Sequence, residues 1–167
     1  PVIHDARVST KMDWEAELAV IIGRRGKRIP RERALEYVFG YTCFNDVSAR
    51  DLQRARGGQW DMGKSLDTYG PLGPWIVTTD EIPDPQVLEI MCRVNGVEKQ
   101  HSNTRHMLFD VATCIADWSQ GITLEPGDII ATGTPSGVGF ARTPPEFMQP
   151  GDVVEVEIER IGVLRNP

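Results

Sequence analysis

Two glutamates, Glu15 and Glu17, stand two positions apart in the string WEAELAVII (14–22). Side chains two apart on a strand share a face. Two carboxylates in a stretch otherwise rich in Leu, Val and Ile repel each other unless positive charge sits between them. A divalent cation supplies that charge, and hard cations prefer carboxylate oxygen. The alternative reading is a solvated face of an edge strand. Asp46, Arg50 and Gln53 form a second group, spaced four and then three apart. They share one helical stripe if a helix begins near Asp46. The alternative is a capping carboxylate with an ordinary ion pair. Together the two groups supply three carboxylates, a number that suits a magnesium site with positions left open for water or substrate.

Two further strings carry polar chemistry. Lys64 lies in GKSLDTYGPLGP (63–74), where it reads as a cation facing a ligand or as a surface lysine. TGTPSGVG (132–139) is Gly-rich but has no lysine at the Walker position and lacks the GxGxxG order. Its main-chain N–H groups and Thr134 can cradle a carboxylate. His4, His101 and His106 lack metal-ligand spacing, and no GxSxG elbow is present. The basic run from Arg24 to Arg33 has no interleaved aromatic residue and reads as a solvated turn.

The elements that must position these residues are mostly strands. WEAELAVII reads as a strand entering a buried sheet. Pro30 suits the first turn of a short helix reaching Tyr37. YTCFND (41–46) reads as a strand, and SARDLQRA (48–55) as a helix capped by Ser48. GGQW and GPLGP read as loops. WIVTT (75–79) and VLEIMCRVN (87–95) read as strands, the second entering a hairpin at Asn95-Gly96. Asp110 can cap a helix with Val111, Cys114, Ile115 and Trp118 on one face and Gly121 after its end. EPGD (125–128) and QPGD (149–152) are turns that lead into the strands IIATG and VVEVEIE. The expected class is α+β, mostly β, without βαβ alternation.

Composition sets outer bounds. The chain has 167 residues, 40% hydrophobic and 25% charged, which suits one domain with a sizeable core. Its formal charge of -6 makes it a poor partner for nucleic acid or an anionic membrane. The longest apolar runs, such as Leu18 to Ile22, are too short to span a bilayer, and no stretch reads as a signal peptide. The 3 cysteines are far apart and form no CxxC pair, so a reducing cytoplasm is the expected location. The chain begins at Pro1 rather than Met, and an upstream segment is expected.

The strings DWEAELAVIIG (13–23), GYTCFNDVSARDLQ (40–53), GGQWDMGKSLDTYGPLGP (57–74), NTRHMLFD (103–110) and LEPGDIIATGTPSGVG (124–139) resemble, in order, the fumarylacetoacetate hydrolase superfamily. The likeness covers nearly the whole chain. It is nearest to domain-containing members and to hydroxyhepta-dienedioate isomerase-like enzymes. The resemblance implies a mixed β-sandwich roll with a few short helices, as a homodimer, and a Mg²⁺ or Mn²⁺ site. It implies that Glu15, Glu17 and Asp46 hold the metal. It places Arg50, Gln53, Lys64 and Thr134 in the substrate site, with Gly133 on the adjoining backbone and Lys64 and Arg50 in catalysis. Members that hydrolyse carbon–carbon bonds use a histidine–glutamate pair upstream of the ExE strand. Here 14 residues precede Glu15, and His4 is in no matching motif. Residues 1–167 are therefore expected to be the catalytic domain without its upstream lid segment.

The expected activity is metal-dependent hydrolysis or isomerisation of small anionic 2-oxo or 1,3-dicarbonyl acids through an enolate stabilised by Lewis-acid chemistry. Tautomerisation or decarboxylation of oxaloacetate-like acids is the second reading. A non-catalytic metal-binding dimeric scaffold is the third.

Overall fold

The computed structural model describes residues 1–55 and 58–167, so the first residue of the GGQW loop, Gly57, lies outside the described part. The chain enters the fold through a short ribbon in which β1 (Met12–Asp13) pairs with β4 (Ser48–Ala49). Between them run β2 (Ala16–Ile22) and β3 (Val38–Asn45), paired antiparallel, with a 3-10 helix at Arg31–Tyr37 in the connection. Two short helices follow, α1 (Arg50–Arg54) and α2 (Asp61–Lys64), and then β5 (Leu72–Thr78). β6 (Glu89–Val94) and β7 (Val97–Asn103) form a hairpin about Asn95-Gly96. The longest helix, α3 (Val111–Gly121), precedes β8 (Ile129–Ala131), β9 (Val154–Ile158) and β10 (Gly162–Asn166).

The strands form two four-stranded sheets, in the orders β5-β3-β2-β8 and β10-β9-β6-β7. All seven residues of β2 are buried, which is what its continuous apolar run requires of a strand covered on both faces. β9 alternates, with Val154, Val156 and Ile158 inside and Glu155 and Glu157 more exposed, as a sheet with one wet face does. Leu18, Val20 and Ile22 of β2 share one core cluster with Ile90, Cys92 and Val94 of β6 and with the inner face of β9. Removing such a side chain, as in Leu18→Ala, costs about 2–5 kcal/mol. With Ala16, Leu18 and Val20 turned into that core, Glu17 must point to the other side of the strand.

The expected α+β, mostly β architecture is the one observed, and several local expectations shift. α1 begins at Arg50, so Asp46 precedes it and shares no helical stripe with Arg50 and Gln53. Ser48 does not cap α1. The ribbon draws it into extended backbone, and its hydroxyl donates to Asp46 O at 2.9 Å. Asp110 does cap α3, accepting the Thr113 N–H at 2.7 Å. The inward stripe of α3 is Val111, Ile115 and Ser119, whereas Trp118 is 53% exposed. The reason is polar: the Ser119 hydroxyl accepts the N–H of buried Ile29 at 2.9 Å, so the helix turns Ser119 inward. Gly121 is the last residue of the helix and does not follow its end. The two PGD turns share their chemistry, with Asp128 accepting the Glu125 N–H at 2.8 Å and Asp152 that of Gln149 at 2.7 Å. No helix among the described residues is long and apolar enough to cross a membrane.

Candidate metal centre

Glu15 stands one residue before β2, Glu17 lies on it, and Asp46 follows the paired end of β3. Two hydrogen bonds lock these strand ends together. The Glu15 N–H donates to Asn45 Oδ1 at 3.1 Å, and the Asp46 N–H donates to Glu15 O at 2.9 Å. One carboxylate oxygen from each of Glu15, Glu17 and Asp46 lies within 4.8 Å of the others. Glu15 and Glu17 are buried, and Asp46 is partly exposed. The structure thus brings together the three carboxylates singled out from the sequence.

Two cations face them. Lys64, at the end of α2, donates from Nζ to Glu15 Oε2 at 2.7 Å and to Asp46 Oδ2 at 2.6 Å. It is therefore not a surface lysine. Its approach depends on Gly63, where a Cβ would lie 2.7 Å from both Cβ and N of Gln53. Only glycine lets α2 press this closely on α1. Arg50 is buried at 5% exposure. Its Nε donates to Asp13 Oδ2 at 2.9 Å, its Nη1 donates to Gln53 Oε1 at 3.1 Å, and its Nη2 makes an ion pair with Glu15 Oε1 at 2.6 Å. The guanidinium also lies 4.4 Å from the centre of the Phe140 ring.

The TGTP segment closes another side. Past the end of β8, the Thr132 hydroxyl donates to Leu18 O at 2.7 Å and the Thr134 hydroxyl to Ala16 O at 2.9 Å. Between them the Gly133 N–H donates to Glu17 Oε2 at 2.8 Å. Gly133 has φ 94, a left-handed conformation that a side chain would strain. Gly133 and Thr134 also border a cleft of about 320 Å³ whose walls include His106, Met107 and Phe109.

The electrostatics are uneven. Lys64 and Arg50 contact Glu15, and Lys64 contacts Asp46, whereas among the described residues Glu17 is bonded only by the Gly133 N–H. Burial pushes the Glu17 carboxyl up to about 8, and the charges of Asp46 and Glu15 push it the same way. The Gly133 hydrogen bond and Lys64 oppose this without cancelling it. A buried carboxyl short of positive charge beside two carboxylates is a donor set that fits a hard divalent cation.

Two supporting residues escaped the sequence reading. Asp13 is fully buried and accepts the N–H groups of Trp14, Gly139 and Phe140 at 2.8, 2.7 and 3.0 Å besides holding Arg50. The two-residue spacing that pairs Glu15 with Glu17 extends back to Asp13, and that was the available signal. Gln100 comes from the other sheet and had no signal in its spacing. His4 instead pairs with Ser9 O at 3.1 Å, and among the described residues no histidine joins the carboxylate group.

A β-rich domain carrying three converging carboxylates beside a lysine and an arginine has clear relatives. The family of the fumarylacetoacetate (FAA) hydrolase C-terminal domain matches residues 2–167, and the chain belongs to that family. It is 52% identical over 160 residues to a mitochondrial oxaloacetate tautomerase of Xenopus laevis, covering 95% of this chain and 50% of that protein. The solved fumarylacetoacetate hydrolase from Exiguobacterium antarcticum superposes with a TM-score of 0.95 at 49% identity, covering 99% of this chain and 59% of that one. The maleylpyruvate hydrolase from Sphingobium superposes with a TM-score of 0.81 at 37% identity, covering 93% and 54%. The chain spans about half the length of the curated relatives it matches.

Proposed function

We propose that residues 1–167 form the catalytic domain of a divalent-cation-dependent enzyme that hydrolyses or isomerises small 2-oxo or 1,3-dicarbonyl acids. The observation that carries this reading is the convergence of Glu15, Glu17 and Asp46 with the Lys64 ammonium set between two of them. The relatives support the substrate class, since their names describe a tautomerase of oxaloacetate and hydrolases of fumarylacetoacetate and maleylpyruvate.

Glu15, Glu17 and Asp46 would hold Mg²⁺ or Mn²⁺. A bound dication supplies Lewis-acid stabilisation of negative charge developing on a substrate oxygen. The chain's own residues do the rest. Lys64 has both reach and exposure, at 18% of its side chain, so its ammonium can meet an enolate oxygen and return a proton to it. Arg50 is held on three sides, so it acts by its field on a bound carboxylate and by fixing the Glu15 carboxylate in place. Gln53 fixes the Arg50 fork and borders the same site. Gly133 and Thr134 border the adjoining cleft, from which the acid would approach.

A second reading has its own support, because tautomerases of oxaloacetate from two vertebrates are each 52% identical to this chain. Keto–enol exchange needs only proton shuttling, whereas hydrolysis also needs a base for water. The test is turnover of oxaloacetate and of acylpyruvates by the full-length protein, with Mg²⁺ and with chelator. Cation-dependent turnover is expected. Two carboxylic-acid or keto fragments formed with uptake of water identify a hydrolase, release of CO2 identifies a decarboxylase, and an altered enol content without cleavage identifies a tautomerase. Cation binding with no turnover of either substrate type would replace both with the scaffold reading.

A further inference from the structure

From the hydrogen bonding of Gln100 we infer that this residue is a positioning residue for the carboxylate pair, setting the geometry of Glu15 and Glu17 from the opposite sheet without touching either carboxylate. The inference rests on the proposed cation site and concerns how that site is held.

Gln100 lies on β7, paired with Cys92 of β6, and is 1% exposed. An inward position on this strand would ordinarily carry an apolar side chain. Instead its amide crosses the sandwich to β2. Its Oε1 accepts the Ala16 N–H at 2.9 Å. Its Nε2 donates to Thr134 Oγ1 at 2.8 Å and to Pro135 O at 2.8 Å. The Thr134 hydroxyl in turn donates to Ala16 O at 2.9 Å. These bonds close a ring through Ala16, Gln100 and Thr134. The partners fix the amide orientation, because a backbone N–H demands the oxygen and a carbonyl demands the nitrogen. The ring also fixes the hydroxyl rotor of Thr134.

Ala16 is the residue between Glu15 and Glu17, and both of its polar backbone groups are in this ring. The backbone ladder of β8 on β2 ends at Ala19↔Ala131, so it does not hold Ala16. Loss of the Gln100 amide leaves the buried Ala16 N–H unpaired and takes a donor from both Thr134 Oγ1 and Pro135 O, so the chain must shift to satisfy them. Movement of Thr134 carries its neighbour Gly133, whose N–H holds Glu17. Glu15 keeps its own partners, so the Glu17 carboxylate shifts against it. Partners bonded directly to metal ligands matter at about 10–100-fold in affinity, and Gln100, one step further out, falls at the lower end of that range.

The test is Mn²⁺ binding to the full-length protein, without substrate, by titration calorimetry and by the electron paramagnetic resonance line shape of the bound ion. Gln100→Met keeps length and removes every hydrogen bond. It is expected to weaken Mn²⁺ binding about 10-fold and to broaden the line shape at a temperature where the variant is folded. Thr134→Val breaks the same ring from the loop side and is expected to move both readouts in the same direction, while Thr134→Ser restores them. The Thr134 pair decides the matter if Gln100→Met does not fold. A lowered melting temperature with wild-type affinity and line shape would mean a structural tie only, and would overturn the inference. Failure of the wild-type protein to bind Mn²⁺ would overturn the cation site and this inference together.

Discussion

Lys64 Nζ lies 2.6 Å from Asp46 Oδ2, although the two residues are 18 positions apart and on opposite sides of α1 in the sequence. The ammonium therefore bridges two of the three carboxylates and leaves Glu17, among the described residues, without a cation in contact. It also competes, by simple repulsion, with any dication those carboxylates bind.

Lys64→Met should thus have opposite effects on binding and turnover. Mn²⁺ affinity should rise, because one repelling charge is gone. The kcat should fall on the order of 10²-fold or more, as when one donor to a developing oxyanion is removed. Calorimetry and steady-state kinetics at saturating cation measure the two effects. A variant that keeps wild-type kcat would exclude Lys64 from the chemistry.

Asp46→Asn keeps size and removes one of the three proposed anionic ligands. Mg²⁺ affinity should drop by at least the ~10–100-fold seen when an outer partner is lost. The melting temperature without cation should hold or rise, since repulsion with Glu15 and Glu17 is relieved. Unchanged Mg²⁺ affinity in this variant would refute the ligand assignment.

Glu17 should make cation-free stability depend on pH. Its carboxyl titrates at about 8 in the fold against 4.5 for the ordinary group. Between those values the folded protein holds a proton that the unfolded chain has released, so stability falls as pH rises across the window. Below 4.5 both states are protonated, and above about 8 the full penalty applies. Melting temperatures in chelator should show this slope, and Glu17→Gln should flatten it. An equal slope in both proteins would disprove the assignment.

Asp13→Asn should cost about 3–5 kcal/mol of folding stability, because it leaves the buried Arg50 guanidinium without its fully buried partner. Urea denaturation gives the number. A loss below about 1 kcal/mol, the scale of an exposed pair, would mean that Glu15 alone suffices to compensate Arg50.

Arg50→Lys retains charge but loses the fork that joins Asp13, Gln53 and Glu15. KM for a 2-oxo acid should rise more than kcat falls, since a binding field is weakened in ground and transition states alike. A fall in kcat at constant KM would assign Arg50 to the chemical step instead.

Much of the site was legible in the sequence because its residues follow local rules. Glu15 and Glu17 obey the two-residue period of a strand, and Asp46 directly follows a strand. The helical stripe through Asp46, Arg50 and Gln53 was not real, although Arg50 and Gln53 do bond to each other. The pairing of Ser48–Ala49 with β1 overrode the helix propensity of that stretch. Trp118 was misplaced for a related reason: an apolar pattern favours burying tryptophan, but the hydrogen bond from Ile29 to Ser119 turns the helix. Gln100 was invisible because its partners, Ala16 and Thr134, lie 84 and 34 positions away. No spacing rule spans such distances.

The amides of Glu15 and Ala16 are held by the side chains of Asn45 and Gln100, whereas β2 from Ala19 onward is laced to strands on both sides. The strand therefore has two regimes of hydrogen-exchange protection. Its apolar half opens only when the sheet does. In its acidic half β3 alone supplies the ladder, and the N–H groups of Glu15 and Ala16 are freed when two side-chain amides rotate. A lineage could consequently retune how stiffly this end of the strand is held by substitutions that leave the sandwich as stable as before.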